Sequence, residues 1–129
     1  MDEQRDGDIS WGLDRGSVCA RMVMSDLEGS RFDLRLPETE LAVRLPLIGV
    51  HNLRNGLAAA AAASAAGLGP KAIRRGLKKA RPLRGRLERV KTKLPFPIFV
   101  DYAHTPEGLR SVIRSNAWRT DRRPSGVWA

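Results

Sequence analysis

The sequence predicts an α/β fold in which an antiparallel sheet edge and two helices precede a second strand-and-helix unit. Strands are predicted at 18–24, 31–36 and 40–45, and in the second and third of these ranges apolar and charged residues alternate, as is typical of half-buried strands. An alanine-rich segment ending near Ala66 and a second segment opening at Pro70 favour helices, because alanine has the highest helix propensity and proline fits the first helical position. An apolar run at 96–100 then leads into a helix-like segment from Glu107.

The composition is that of one modest globular domain. The chain has 129 residues, of which 42% are hydrophobic and 29% charged. No apolar run is long enough to span a bilayer, and the first six residues are too polar for a signal peptide. The single Cys19 cannot form an internal disulfide, which fits a reducing compartment. We therefore expect a cytoplasmic protein with no membrane partner.

The net charge of +9 is concentrated in one segment, whereas residues 1–40 are net acidic. Glu88 is the single acid between Pro70 and Lys93, against these cations: Lys71, Arg74, Arg75, Lys78, Lys79, Arg81, Arg84, Arg86, Arg89, Lys91 and Lys93. One interpretation is a non-catalytic basic module that binds nucleic acid or a protein partner. No aromatic residue is interleaved with the cations to stack on bases, so a solvated helix face or an anionic small ligand is the favoured explanation.

The first predicted helix begins with three side chains that can act on a ligand or cap the helix: His51, Asn52 and Asn55. Asn55 lies one turn after His51 and Asn52, on the same side of the helix. Amide side chains both donate and accept hydrogen bonds, which suits an adenine edge, but Asn52 is also a good capping residue. Because alanines permit close backbone approach, we expect this helix to be buried.

The second predicted helix runs from Pro70 to about Arg81 and ends in a segment that is interrupted by Pro82 and Gly85. Such an interruption is typical of a hinge between domains. Strands predicted at 87–91 and 96–100 form a hairpin that begins the second unit, and the apolar run at 96–100 predicts a buried strand.

The segment 100–106, Val-Asp-Tyr-Ala-His-Thr-Pro, places Asp101, Tyr102 and His104 together after that strand. Ligands in open α/β sheets bind at the carboxyl ends of strands. Thr105 and Pro106 also suit the N-cap and first position of a helix, so a structural role is a real alternative. The chemistry of the three side chains does not by itself name a ligand.

Three separated motifs occur in order along the chain: Gly-Val-His-Asn-Leu-Arg-Asn at 49–55, Gly-Arg-Leu-Glu at 85–88, and the segment 100–106. Together they resemble the Mur ligases of peptidoglycan synthesis, and the resemblance extends over roughly residues 8–115. Tyr102 and Thr105 favour the branch that adds the third residue of the stem peptide. The resemblance implies that residues 1–81 end a central ATPase domain and that residues 82–115 begin a Rossmann-like C-terminal domain.

The resemblance also implies an activity and a set of site residues. ATP would phosphorylate the carboxylate of a UDP-muramoyl peptide with the help of Mg²⁺, and the amine of an amino acid would attack the acyl phosphate. Asn52 and Asn55 would lie at the adenine with His51 beside them. Asp101 would bind the ribose and Tyr102 would pack near the base. Arg86 and His104 would act on the phosphates, and these two are the predicted catalytic residues.

Several parts of that family are absent from the sequence. It contains no Gly-Lys-Thr or Gly-Lys-Ser phosphate loop, and the magnesium ligands and the UDP-sugar domain have no counterpart. We expect a piece of a longer ligase that is inactive in isolation, and a related ligase acting on a different acid and amine is the second candidate. From about Asn116 the resemblance ends, and residues 116–129 are expected to be poorly ordered.

Overall fold

The computed structural model describes residues 9–117 and confirms the α/β class. Its elements are β1 (Trp11–Gly12), β2 (Val18–Asp26), β3 (Gly29–Leu36), β4 (Thr39–Leu45), α1 (Val50–Ala65), α2 (Pro70–Lys78), β5 (Glu88–Val90), β6 (Ile98–Val100) and α3 (Pro106–Ala117). No helix within residues 9–117 is long and apolar enough to cross a membrane. Of the tail that was predicted to be poorly ordered, residues 116 and 117 end α3, and residues 118–129 lie outside the described part of the chain.

The first four strands form one sheet in the order β1-β2-β3-β4. The pairs β2-β3 and β3-β4 are antiparallel, as predicted, and the short β1 pairs in parallel with β2. A two-residue turn joins β2 to β3, so both strands extend further than the predicted turn at 26–30 allowed. The turn is closed by Asp26, whose Oδ1 accepts the Glu28 N–H at 2.8 Å.

The core lies between this sheet and one face each of α1 and α2. Its side chains include Phe32, Leu34, Leu45, Leu53, Leu57, Ile73 and Leu77. Gly56 allows α1 to approach β4 closely, since a Cβ atom at that position would stand 2.9 Å from Leu45 Cδ2. The prediction that the alanine-rich helix is buried is wrong for its outer face, where Ala59, Ala62 and Ala65 are exposed, because within residues 9–117 the helix packs on one side alone.

The predicted glycine stop after α1 is confirmed. Gly67 has a φ of +80°, and its N–H donates to the Ser64 carbonyl at 2.9 Å. The next N–H, of Leu68, donates to the Ala63 carbonyl at 3.0 Å, which completes a Schellman motif. Helix α2 opens at Pro70 as predicted and ends at Lys78, before the predicted end near Arg81. The helix ends early because Pro82 disfavours a helical conformation for Arg81, the residue before it.

Strands β5 and β6 form an antiparallel hairpin in which Glu88 pairs with Val100. The prediction of a buried strand over 96–100 is wrong: Phe96 is 55% exposed and Val100 is 47% exposed. Among residues 9–117, β6 pairs with β5 alone. An apolar run predicts that a segment prefers burial, but it does not supply the second layer that buries it.

Candidate functional site

A cleft of about 700 Å³ lies where the first unit meets the second. Its walls are the beginning of α1, the segment between α2 and β5, the loop after β6 and the first turns of α3. Volumes of roughly 300–1,000 Å³ are typical of small-molecule sites. All seven residues singled out in the sequence line this cleft: His51, Asn52, Asn55, Arg86, Asp101, Tyr102 and His104. The structure thus brings them together, while their individual roles stay predictions.

The α1 wall presents its side chains from a helix start that no side chain caps. The N-cap residue is Gly49, and no side-chain hydrogen bond caps this end. The amide of Asn52 instead donates from Nδ2 to the Ile48 carbonyl at 2.7 Å, so its role differs from the expected cap. This bond fixes the orientation of the amide and leaves Oδ1 as an acceptor. Asn55, one turn later, is exposed.

Arg86 reaches the cleft from a tight turn. The Arg86 N–H donates to the Leu83 carbonyl at 3.1 Å, which closes a turn over residues 83–86. The third residue, Gly85, has a φ of +68°, as type II turns require at that position. The interruption that the sequence showed at Pro82 and Gly85 is therefore an ordered turn, and it presents an exposed arginine at its last position.

The side chain of Asp101 accepts hydrogen bonds from two backbone N–H groups. Its Oδ2 accepts the Leu87 N–H at 2.8 Å, and its Oδ1 accepts the Ala103 N–H at 2.8 Å. The neighbouring Tyr102 N–H donates to the Gly85 carbonyl at 2.7 Å. Together these bonds tie the loop after β6 to the turn that carries Arg86. Sequence reasoning missed this role, since the contact with Leu87 crosses fourteen residues and no local pattern reveals it.

His104 is oriented by its own loop. Its Nδ1 lies 2.9 Å from the Tyr102 carbonyl oxygen. A carbonyl can only accept, so Nδ1 carries the proton in this contact and Nε2 is left to face a ligand. The next residue, Thr105, accepts the Gly108 N–H with Oγ1 at 3.1 Å, which confirms the predicted N-cap.

The charged groups of the cleft favour an anion. Arg81 lines it together with Arg86, and both guanidinium groups lie outside the single ion pair, Arg44–Glu28, found among residues 9–117. The carboxylate of Asp101 is already bonded to two backbone N–H groups. Guanidinium groups bind phosphate and carboxylate oxygens in pairs of hydrogen bonds. This side of the cleft therefore suits a phosphate group.

Further cleft residues were missed in the sequence: Leu47, Arg81, Pro82, Leu83, Ala103, Thr105, Gly108, Ser111 and Val112. Arg81 belongs to the basic segment already noted, so its charge was visible although its position was not. Ser111 follows Gly108 at the spacing of one helical turn, and the N-cap at Thr105 would have placed both on the same side of α3. Leu47 gives no signal of this kind.

The residues present fit a nucleotide better than they fit a metal. Amides, an aromatic ring and guanidinium groups suit a base and its phosphates, and Tyr102 is 76% exposed. Within residues 9–117 no group of three or more His, Cys, Asp or Glu side chains could hold a metal ion.

Comparisons with known proteins agree with the motifs. No protein-family model matches the chain. It is 42% identical over 93 residues to a UDP-N-acetylmuramoyl-L-alanyl-D-glutamate–2,6-diaminopimelate ligase from Solibacter usitatus, covering 72% of this chain and 19% of that protein. It is 36% identical over 108 residues to the ligase of the same name from Bacillus velezensis, covering 83% of this chain and 22% of that protein.

A similar fold occurs in a solved structure. The crystal structure of MurF from Acinetobacter baumannii matches 87% of this chain and 24% of its own with a TM-score of 0.78 and 30% sequence identity. The chain spans about a fifth of the length of the curated relatives that it matches.

Proposed function

The chain belongs to the Mur ligase family, and from this we propose that it forms the nucleotide-binding junction of an ATP-dependent ligase. The ligase adds an amino acid to a UDP-N-acetylmuramoyl peptide in cytoplasmic peptidoglycan synthesis. One observation carries the proposal: seven residues from three separated motifs line a single cleft whose side chains suit a nucleotide. The boundary between the two domains lies at the turn that carries Arg86.

The α1 wall and the ring of Tyr102 form the adenine end of the site. The Oδ1 of Asn52 is free to accept from the exocyclic amine, since Nδ2 is bonded to the Ile48 carbonyl. The amide of Asn55 is exposed to the cleft and can donate and accept. Tyr102 offers an exposed aromatic face on which a base can stack. His51 completes this wall.

The opposite wall binds the ribose and the phosphates. Arg86 extends from the turn at 83–86 and pairs with phosphate oxygens, which stabilises charge on the transferred group. His104 directs Nε2 towards the terminal phosphate because Nδ1 is held by the Tyr102 carbonyl. Asp101 holds the loop with one lone pair of each oxygen and accepts ribose hydroxyls with those that are left. Bound ATP supplies the phosphoryl group that activates the substrate carboxylate.

The activity is tested by transplanting this segment into a complete relative. The stretch of this chain that aligns over 108 residues with the Bacillus velezensis ligase replaces the matched segment of that protein, and phosphate release from ATP is followed with the UDP-muramoyl dipeptide and the amino acid present. We expect release that requires both substrates. Arg86→Ala should lower kcat/KM by about a hundredfold or more, the scale found when a transition-state donor is removed.

A matched control comes from the same turn. Arg84 is exposed and does not line the cleft, so Arg84→Ala should stay within about twofold of the unmodified chimaera. A chimaera that is inactive although its circular dichroism spectrum shows that it is folded would contradict the proposed function. Equal losses in Arg84→Ala and Arg86→Ala would contradict the assignment of Arg86.

A further inference from the structure

We propose that Glu88 is a positioning residue that aims the Arg86 guanidinium into the cleft. This inference rests on the proposed function, in which Arg86 binds phosphate. Glu88 Oε2 accepts the Gly85 N–H at 3.0 Å, in a half-buried contact. Glu88 is not among the residues that line the cleft, so its effect on a ligand must pass through the turn.

The turn that presents Arg86 is held from both sides. On one side Glu88 binds the Gly85 N–H, and on the other the Gly85 carbonyl accepts the Tyr102 N–H at 2.7 Å. The Leu87 N–H, directly after Arg86, is bonded to Asp101. The peptide groups before and after Arg86 are therefore fixed. Removing the Glu88 contact would leave the Gly85 N–H without its acceptor and would weaken the turn on the side that lies before the arginine.

The backbone around Arg86 needs such restraint. Leu87 has a φ of +46°, a left-handed conformation that residues with a Cβ atom rarely adopt. Conformations of this kind persist where surrounding contacts determine them. Since Leu87 follows Arg86 directly, relaxation of this strain would rotate the peptide that carries the arginine. The hydrogen bond that the Gly85 N–H donates to Glu88 opposes that relaxation.

A second role for Glu88 must be separated from positioning, because Glu88 is the single acid between Pro70 and Lys93. Its charge could act by offsetting the surrounding cations. Glu88→Gln separates the two, since glutamine keeps an oxygen that accepts the Gly85 N–H and loses the charge. Glu88→Ala removes both. Glu107→Ala removes an exposed acid at the start of α3 that does not line the cleft and serves as the matched control.

The experiment uses the full chain and two NMR measurements. The first is amide hydrogen exchange at Gly85, Arg86 and Leu87. The second is the dissociation constant of adenosine divided by that of ATP. This ratio reports how much the phosphates contribute to the affinity. We expect Glu88→Ala to raise Gly85 exchange by about tenfold and to lower the ratio by about threefold or more, with adenosine affinity unchanged. Glu88→Gln and Glu107→Ala should behave as the wild type.

The outcomes separate the two proposals. If Glu88→Ala leaves exchange and the affinity ratio unchanged while Arg86→Ala lowers the ratio, the positioning role is wrong and the proposed function stands. If Glu88→Gln changes the exchange and the affinity ratio as much as Glu88→Ala does, the charge of Glu88 causes the effect and the positioning role is wrong. A wild-type chain that binds ATP no better than adenosine contradicts the proposed function, and the exchange measurement then decides whether Glu88 fixes the turn.

Discussion

The side chain of Leu87 packs against the backbone of Gly49, so that a Cβ atom at residue 49 would stand 3.0 Å from Leu87 Cδ1. Leu87 comes from the second unit and is only 2% exposed, whereas Gly49 is the N-cap of α1 in the first. The same virtual Cβ would stand 3.1 Å from His51 Cε1. The contact therefore joins the two walls of the cleft at the point where the motifs at 49–55 and 85–88 meet.

Gly49→Ala should destabilise the chain by about 2–4 kcal/mol. Gly49 has φ +94° and ψ 151°, a region that is open almost only to glycine, and the added methyl would also press on Leu87. Gly67→Ala is the matched control, because Gly67 has a φ of +80° and nothing within 4 Å of a virtual Cβ. It should cost about 1 kcal/mol, from the backbone alone. Urea unfolding of both variants measures the difference.

The contact itself is isolated by adding Leu87→Ala to each glycine variant. Gly49→Ala and Leu87→Ala should be coupled by about 0.5–2 kcal/mol, because the truncated side chain no longer meets the new methyl. Gly67→Ala and Leu87→Ala should be additive. Additivity in both pairs would show that the two residues are not in contact.

Asp101→Ala should lower the free energy of unfolding by about 2–3 kcal/mol. The substitution leaves the Leu87 and Ala103 N–H groups without the carboxylate that accepts them. Asp101→Asn keeps one accepting oxygen and should cost roughly half as much. Both losses are measurable by urea unfolding of the full chain without nucleotide, so they report the structural role of Asp101 apart from any ligand.

Glu40 provides the comparison for Asp101. It is an exposed carboxylate on β4, and Glu40→Gln should change stability by less than about 0.5 kcal/mol. A stability of Asp101→Ala equal to that of Glu40→Gln would mean that the two backbone hydrogen bonds contribute nothing. The role of Asp101 would then be limited to binding the ligand.

The parts of the fold that could be predicted from the sequence are those set by local chemistry. The Gly67 stop, the Pro70 start and the Thr105 cap each depend on residues within one helical turn, and all three were predicted. The exposure of Phe96 and of the outer alanines of α1 could not be predicted. Burial depends on which element covers a surface, and this is determined by the whole fold.

The site divides in the same way. Seven of the residues that line the cleft were found because their motifs occur together in order along the chain. The residues that hold the site were missed. Leu87 looks like an ordinary strand residue in the sequence, and its positive φ and its contact with Gly49 arise only when distant segments meet. Supporting roles such as these depend on tertiary contacts.

Two helical glycines should respond to alanine in opposite directions. Gly76 is exposed on α2 with nothing within 4 Å of a virtual Cβ, so Gly76→Ala should stabilise the chain by about 0.5–1 kcal/mol through helix propensity. At Gly56 the same gain in helix propensity is opposed by a clash, because the added methyl would stand 2.9 Å from Cδ2 of the fully buried Leu45. Overpacking costs about 1–3 kcal/mol, so we expect a net loss. Thermal unfolding would contradict this if both variants were stabilised.

The basic face of α2 tests the alternative of a nucleic-acid-binding module. Four exposed cations recur at helical spacing opposite the buried Ile73 and Leu77: Lys71, Arg74, Arg75 and Lys78. A small solvated face of this kind should bind random duplex DNA only non-specifically, with a Kd in the range of about 10⁻⁴–10⁻⁶ M near physiological salt, weakening as salt rises. Fluorescence anisotropy over a salt series measures both quantities.

A matched pair of variants decides where any such binding resides. One variant replaces the four α2 cations with glutamine, and the other replaces four exposed arginines from the first unit: Arg15, Arg21, Arg31 and Arg35. Because non-specific attraction depends on total charge, the two variants should lose similar, small amounts of affinity. Submicromolar binding that disappears in the α2 variant alone would favour the basic module over the ligase, since it would show a surface organised for phosphate backbones on α2.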